Sequence, residues 1–341
     1  MAQINKSDEY FNTVLYTGNG GTNNITGVNF QPDWVWVKDR TSANSHGLFD
    51  VIRGATNALL SNTTNATVTN ANYLQSFDSD GFTLGSEGAF NTNTNNYASW
   101  NWLAGGTGVS NTDGSITSTV SANTISGFSI GTYTGTGASA TIGHGLGTSP
   151  SMVIIKRTDS VENWRVHHVG LTGLTYRLAL DTTQAEYDET TSGLQSWNSS
   201  TFTLGSGGSY NASGGSFVFY AFAEKKGFSK FGSYTGNGST DGTFIYTGFK
   251  PAFLIVKRTD STADWVIMDN KRDTFNVLNK TLYPSTSDAE ATSVDRFDFL
   301  SNGFKNRATS SFNNGSGASY IYMAFAESPL VGTNNIPATA R

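Results

Sequence analysis

Apolar positions along the chain alternate with small and polar ones in short runs, and turn residues interrupt them about every ten positions. Phe128-Ser129-Ile130-Gly131-Thr132-Tyr133 keeps the period of two that marks a strand with one buried face. The pattern breaks at Gly135 and Gly137 and resumes over 138–142. Residues 152–156 form a short continuous apolar run, as in a strand buried on both faces. Thr158-Asp159-Ser160 supplies turn chemistry, side chains that bond nearby backbone amides, and 164–169 returns as a partner strand. Segments 176–180, 202–204 and 217–222 bring the count to about seven strands per hundred residues, a spacing that points to a sandwich. No segment carries a helical period, and 182–188 has room for one turn. The expectation is an all-β chain of antiparallel, jelly-roll-like β-sandwich modules.

That pattern is written three times. Tyr16-Thr17-Gly18, Tyr133-Thr134-Gly135 and Tyr234-Thr235-Gly236 open the copies. A proline then precedes an apolar run and a basic turn: Pro32 with Val35-Trp36-Val37-Lys38-Asp39-Arg40, Pro150 with Val153-Ile154-Ile155-Lys156-Arg157, and Pro251 with Leu254-Ile255-Val256-Lys257-Arg258. The unit is far longer than the roughly 20–50 residues of a solenoid repeat, so each copy reads as a small domain. The division expected is module one over 1–104 with a short N-terminal arm, a linker over 105–126, module two over 127–225, module three over 226–329 and a tail over 330–341. The Gly/Ser/Thr-rich stretch 105–126 carries few large apolar groups and reads as a linker or extended arm. The second junction, Ala223-Glu224-Lys225-Lys226-Gly227-Phe228, is tight. Modules two and three should therefore form a stiff pair, with module one on a longer tether.

Composition narrows the function. Charged residues are 14%, well below the roughly 25% of an ordinary soluble protein, while aromatic residues are 13%. That is turn-rich β-structure rather than disorder, which needs high net charge and few aromatics. A net charge of −5 gives no electrostatic footprint for nucleic acid. No run of about 18 apolar residues is present to insert in a membrane as a helix, and the N-terminus lacks the apolar core of a signal peptide. With no cysteine, neither disulfides nor thiolate metal sites hold the fold.

The strings at 227–242 (Gly-Phe-Ser-Lys-Phe-Gly-Ser-Tyr-Thr-Gly-Asn-Gly-Ser-Thr-Asp-Gly), 257–261 (Lys-Arg-Thr-Asp-Ser), 320–327 (Tyr-Ile-Tyr-Met-Ala-Phe-Ala-Glu) and 107–116 (Thr-Gly-Val-Ser-Asn-Thr-Asp-Gly-Ser-Ile) carry a resemblance. Over residues 10 to 329 the chain resembles a repeat family of virion structural, tail-fibre-like proteins from tailed phages of marine bacteria and cyanobacteria. The resemblance implies a virion protein, made in the host cytoplasm and exposed on the particle, with other virion proteins as partners. A homotrimer follows by analogy with fibres. It supplies no catalytic or receptor-contact residues.

Candidate chemistry is sparse. His167-His168 on a strand point to opposite faces, so one is expected inward and one outward, and they cannot chelate one metal together. Asp78-Ser79-Asp80-Gly81 has alternating carboxylates but runs into a strand and reads as a turn, as do 111–114 and 239–242. Glu186, Asp188 and Glu189 are the densest acidic group, yet glycoside cleavage needs two carboxylates facing across a cleft. Trp34, Trp36, Trp100 and Trp102 are expected in the core, ahead of a sugar-stacking role. Neither a metal nor a cofactor is expected, and no enzymatic role. The candidate surface-contact residues are Arg40, Arg157 and Arg258 of the basic turns, with Asp159 and Asp260, for a host glycan or a neighbouring subunit. The leading expectation is host-surface attachment by a tail fibre or spike. Capsid decoration is the alternative, partly because only about ten residues precede the first copy, and a polysaccharide depolymerase the outsider.

Overall fold

The computed structural model describes residues 4–330. After a 3-10 turn at Ser7–Glu9, the chain forms β1 (Phe11–Thr17), β2 (Asn23–Thr26), β3 (Trp34–Asp39), β4 (Gly47–Asp50), β5 (Asn57–Leu60), β6 (Val68–Thr69), β7 (Leu74–Asp78) and β8 (Gly81–Leu84). A single helical turn, α1 (Gly88–Asn91), leads into β9 (Asn96–Trp102). Next come β10 (Val109–Asn111), β11 (Ser118–Asn123), β12 (Phe128–Thr134), β13 (Ala140–Gly143), β14 (Met152–Arg157), β15 (Arg165–His168), β16 (Tyr176–Arg177), β17 (Tyr187–Asp188), β18 (Leu194–Trp197) and β19 (Thr201–Leu204). A second turn, α2 (Gly208–Asn211), precedes β20 (Ser216–Phe222). The rest is β21 (Ser229–Thr235), β22 (Phe244–Tyr246), β23 (Phe249–Arg258), β24 (Val266–Asp269), β25 (Phe297–Leu300), β26 (Gly303–Asn306) and β27 (Ser319–Pro329). The helical turn falls at 208–211 rather than 182–188.

The sheets pair into antiparallel sandwiches. The order β1-β9-β3-β4 returns as β12-β20-β14-β15 and as β21-β27-β23-β24. Facing these lie β2-β8-β7, β13-β19-β18 and β22-β26-β25. Between each large sheet and its small partner sits an apolar core: Val35, Val37, Phe49 and Tyr97 against Phe82 and Leu84 in the first pair, Val153, Ile155 and Phe219 against Ile142 and Phe202 in the second, and Leu254, Val256 and Tyr322 against Phe299 and Phe304 in the third.

Strand alternation aims the remaining residues of the large sheets out of the sandwiches. These residues are as apolar as the inner ones, so they too must find cover. Trp34, Trp36, Trp100 and Trp102 of the first pair, Ile154, Tyr220 and Phe222 of the second, and Phe253, Ile255, Met323 and Phe325 of the third pack into one shared cluster. Trp34 stacks on Tyr220 with centroids 4.5 Å apart, Trp102 meets Phe253 at 5.7 Å and Phe222 meets Phe325 at 6.2 Å. At ~25 cal/mol per Å² and about 150–250 Å² per ring, each aromatic contributes roughly 4–6 kcal/mol before entropy. The first sheet pair thus shares its outer apolar face with the other two, and the expected tether does not exist.

The stretch 105–126 is not a linker either. Its strands β10 and β11 extend the sheet at β12, with Val120 opposite Gly131 and Ser121 opposite Ile130. Ile116 and Val120 enter the core of the second sandwich, which explains why a Ser/Thr-rich segment is ordered.

The recurring Tyr-Thr-Gly has a local cause. Tyr16, Tyr133 and Tyr234 each donate their hydroxyl to a backbone carbonyl, of Phe90 (2.8 Å), Tyr210 (2.7 Å) and Asn313 (2.7 Å). The next residue in each case, Asn91, Asn211 or Asn314, is buried and accepts the amide of Asn19, Thr136 or Asn237 on its side-chain oxygen. Between them, Gly18, Gly135 and Gly236 leave no room for a side chain: a Cβ would overlap the carbonyl of Thr92, Ala212 or Gly315.

Candidate functional site

The basic turns lie between sheet pairs. Lys38, Lys156 and Lys257 are fully buried. Each ammonium donates to a carbonyl of its own turn and to one of another sheet pair: Lys38 to Ser287 (3.1 Å), Lys156 to Thr64 (3.2 Å) and Lys257 to Thr183 (3.2 Å). Backbone bonds run beside them, from the amides of Glu290, Thr67 and Glu186 to the carbonyls of Arg40, Thr158 and Thr259. The first pair therefore grips the third, the second grips the first, and the third grips the second. A second set of contacts closes the same circuit. Tyr220 donates to Asp50 (2.8 Å), His168 donates to the Tyr322 carbonyl (3.1 Å) and Trp100 donates to Asp269 (3.1 Å). The result is a ring with pseudo-threefold repetition. Burial pulls Lys38 and Lys156 down to about 8 and Lys257 to about 7, against nearby carboxylates that hold them up.

The five candidate contact residues separate. Arg157 pairs with Asp159 and Arg258 with Asp260, both at 2.7 Å and both partly exposed. Arg40 does something else: its guanidinium makes a two-pronged contact with Glu290 at 2.9 and 2.7 Å. Glu290 also takes Arg272 at 3.0 Å, and the two arginines hold its carboxyl below the usual range although burial pushes the other way. The sheet register explains the difference. Asp39 lies opposite Tyr97 where Arg157 lies opposite Phe217 and Arg258 opposite Tyr320. Arg40 is thus one residue out of step with the other two.

Both members of the histidine pair are buried, which corrects the expectation of one outward ring. The face that would meet solvent is covered by the neighbouring sheet pair. Burial brings both down to about 4. His167 accepts the Tyr210 hydroxyl on Nε2 (2.9 Å) and donates Nδ1–H to the Leu174 carbonyl (3.1 Å). Around it, Arg177 binds Glu189 at 2.9 Å and Arg165 binds Glu162 at 3.1 Å. The corresponding position across the ladder holds Phe49 in the first pair and Met268 in the third.

The acidic group does not converge. Glu186 accepts from Thr172, Asp188 caps the amide of Thr190, and Glu189 turns inward to the arginines. Asp80 accepts the amides of Gly27 and Asn29, as a turn residue does. Among the described residues no group of three or more potential metal ligands is found, and no helix is long and apolar enough to cross a membrane. Trp34, Trp36, Trp100 and Trp102 are buried in the shared core.

A feature absent from the sequence reading is a cleft of about 490 Å³ at the junction into the third sheet pair. Its walls are Glu224, Lys226 and Gly227 of the junction, Ser229 and Lys230 of β21, Tyr246 at the end of β22 with Thr247 and Gly248 after it, and Pro329 with Leu330. Tyr246 is 58% exposed on its rim. Lys230 reaches Glu224 at 2.7 Å, and the second oxygen of Glu224 takes the amide of Phe231 at a long 3.4 Å. The junction string predicted tightness, not a groove, because the groove depends on what lies across from it.

Residues 6–329 match the family described as a domain of unknown function, DUF7483. The chain belongs to this family. Curated proteins and solved structures return no match. In this DUF7483 chain the recurring lysines, tyrosines and asparagines bind the chain to itself. Among the groups facing out are the two Arg–Asp turns, the cleft and single apolar side chains such as Phe275 and Tyr187.

Proposed function

We propose that this DUF7483 protein is a non-enzymatic structural protein of a tailed-phage virion, of the tail fibre or spike type, exposed on the particle and attaching to glycan on the host surface. Three strands of support meet here: the resemblance of its repeated strings to virion proteins, its low charge, and a polar, loop-rich exterior. The observation that carries the reading is the shared aromatic core. It fixes three sets of loops at constant spacing on one body, and weak contacts held at fixed spacing gain roughly 10²–10⁴ in apparent affinity. Arg157, Asp159, Arg258 and Asp260 remain candidate contacts, while Arg40 leaves the set because Glu290 occupies it. A homotrimer of such chains is built from their outer faces, since the inner faces are filled.

Capsid decoration is the second reading, and the ring favours it in one respect. A body repeating one sheet arrangement three times around a ring suits a threefold site on a shell. Immunogold labelling of intact particles with antibody to the purified protein separates the two. Gold on the tail is the expected result. Gold over the head transfers the protein to the shell, and particles without gold overturn both readings.

A further inference from the structure

The three sheet pairs serve as controls for one another, and the cleft beside β21 has a filled counterpart. In the second pair the strand equivalent to β21 is β12: Ile130 lies opposite Tyr220 as Phe231 lies opposite Met323. The edge of β12 is covered by β11, with Ser121 opposite Ile130 and Thr119 opposite Thr132. Val120 and Ala122 of β11 lie against Gly145, two residues beyond β13. The matching glycine of the third pair is Gly248, two residues beyond β22, and both have positive φ (69° and 81°). Gly248 lines the cleft. The space beside Gly145 that β11 fills in the second pair therefore stands open beside Gly248 in the third, where the cleft reaches Ser229 and Lys230 at the start of β21.

We infer that this cleft is a docking groove for an extended segment of a partner protein, which adds as an antiparallel strand to the edge of β21. Strand addition draws affinity from main-chain hydrogen bonds and selectivity from alternate side chains. The edge is suited to it. The outward amide of Phe231 is occupied only by the long contact to Glu224, a side chain that can swing away with Lys230. The outward neighbour two residues on, Ser233, is exposed. Charged side chains over an edge are a usual guard against unwanted pairing, so Glu224 serves as the latch of this groove. β11 supplies the chemistry of the occupant: small or β-branched residues at the positions of Val120 and Ala122, hydroxyl or amide residues between them. This inference does not depend on whether the protein sits on the tail or the head.

A labelled synthetic peptide copying residues 116–125 tests it on the full chain, with binding read by fluorescence anisotropy and protection of 229–235 by hydrogen exchange. Glu224→Ala should tighten binding. Ser233→Pro, which removes one outward amide from an exposed edge position, should weaken it by about tenfold, the worth of one hydrogen bond. A peptide carrying V120D should fail to bind. Peptide that binds neither wild type nor E224A at millimolar concentration overturns the inference. So does binding that S233P leaves unchanged while the variant melts like wild type. Binding seen only after removal of 331–341 gives the groove to the chain's own C-terminus and overturns the assignment to a partner.

Discussion

At the residue scale, the buried lysines set the response to pH. In the unfolded chain a lysine titrates near 10.4, whereas Lys38, Lys156 and Lys257 release their protons at about 8, 8 and 7 when folded. Between those limits the unfolded state binds more protons, so stability rises with pH. The tyrosines act in the opposite sense higher up. Tyr16, Tyr133, Tyr220 and Tyr234 are raised well above 10 by burial, so above about pH 10 only the unfolded chain ionises and stability falls. Thermal melts across pH 6–11 should therefore peak near about pH 9–10, above the usual optimum of about pH 5–8. Lys257→Met should flatten the rising limb. A maximum near neutrality would contradict the burial of the three ammonium groups. The arginines give a second residue-level test. Arg40→Ala leaves Glu290 with Arg272 alone at a buried junction and should cost about 1.5–3 kcal/mol. Arg157→Ala and Arg258→Ala should each cost about 0–1 kcal/mol. Chemical denaturation of the three variants measures the contrast.

At the element scale, the asparagine that follows each clamped carbonyl anchors a loop. Asn91 alone accepts from Asn19 and donates to the carbonyls of Gly21 (2.6 Å) and Gly85 (2.8 Å). Replacing Asn91 or Asn314 with alanine strands several buried groups and should cost at least about 1–3 kcal/mol, read as a drop in melting temperature. The same loss with no drop would mean that water replaces the side chain. The strands of the second pair were largely legible in the sequence, because period-two alternation and turn residues report directly on a half-buried ladder. The run 152–156 also announced burial on both faces. What covers its second face was not legible, since a strand pattern records that a side chain is buried and not against which sheet. The segment 118–123 was missed for a related reason: Ser, Thr and Ala mark a linker unless a neighbouring edge exists to pair with. The Arg40 register slipped because Lys38-Asp39-Arg40 and Lys156-Arg157 look alike until the ladder counts them. The cleft was not legible because its walls come from the junction, β21, the turn after β22 and the end of β27, which only the fold brings together.

At the scale of the whole molecule, the sequence suggested a stiff pair of modules with the first on a tether, and the structure is a ring around a common aromatic core. Trp34 belongs to the first sheet pair yet stacks on Phe128 and Tyr220 of the second. Trp34→Ala should therefore cost about 3–5 kcal/mol and lower the stability of the entire chain, not of one sandwich. Hydrogen exchange should show reduced protection in β20 as well as in β3. The ring also gives the proposed attachment or decoration role a single body held together without cysteine. The most direct test of this account is differential scanning calorimetry of the intact protein. A closed ring with a shared core predicts one transition whose calorimetric and van't Hoff enthalpies agree. Two or three separable transitions, with the first sheet pair melting on its own, would contradict it.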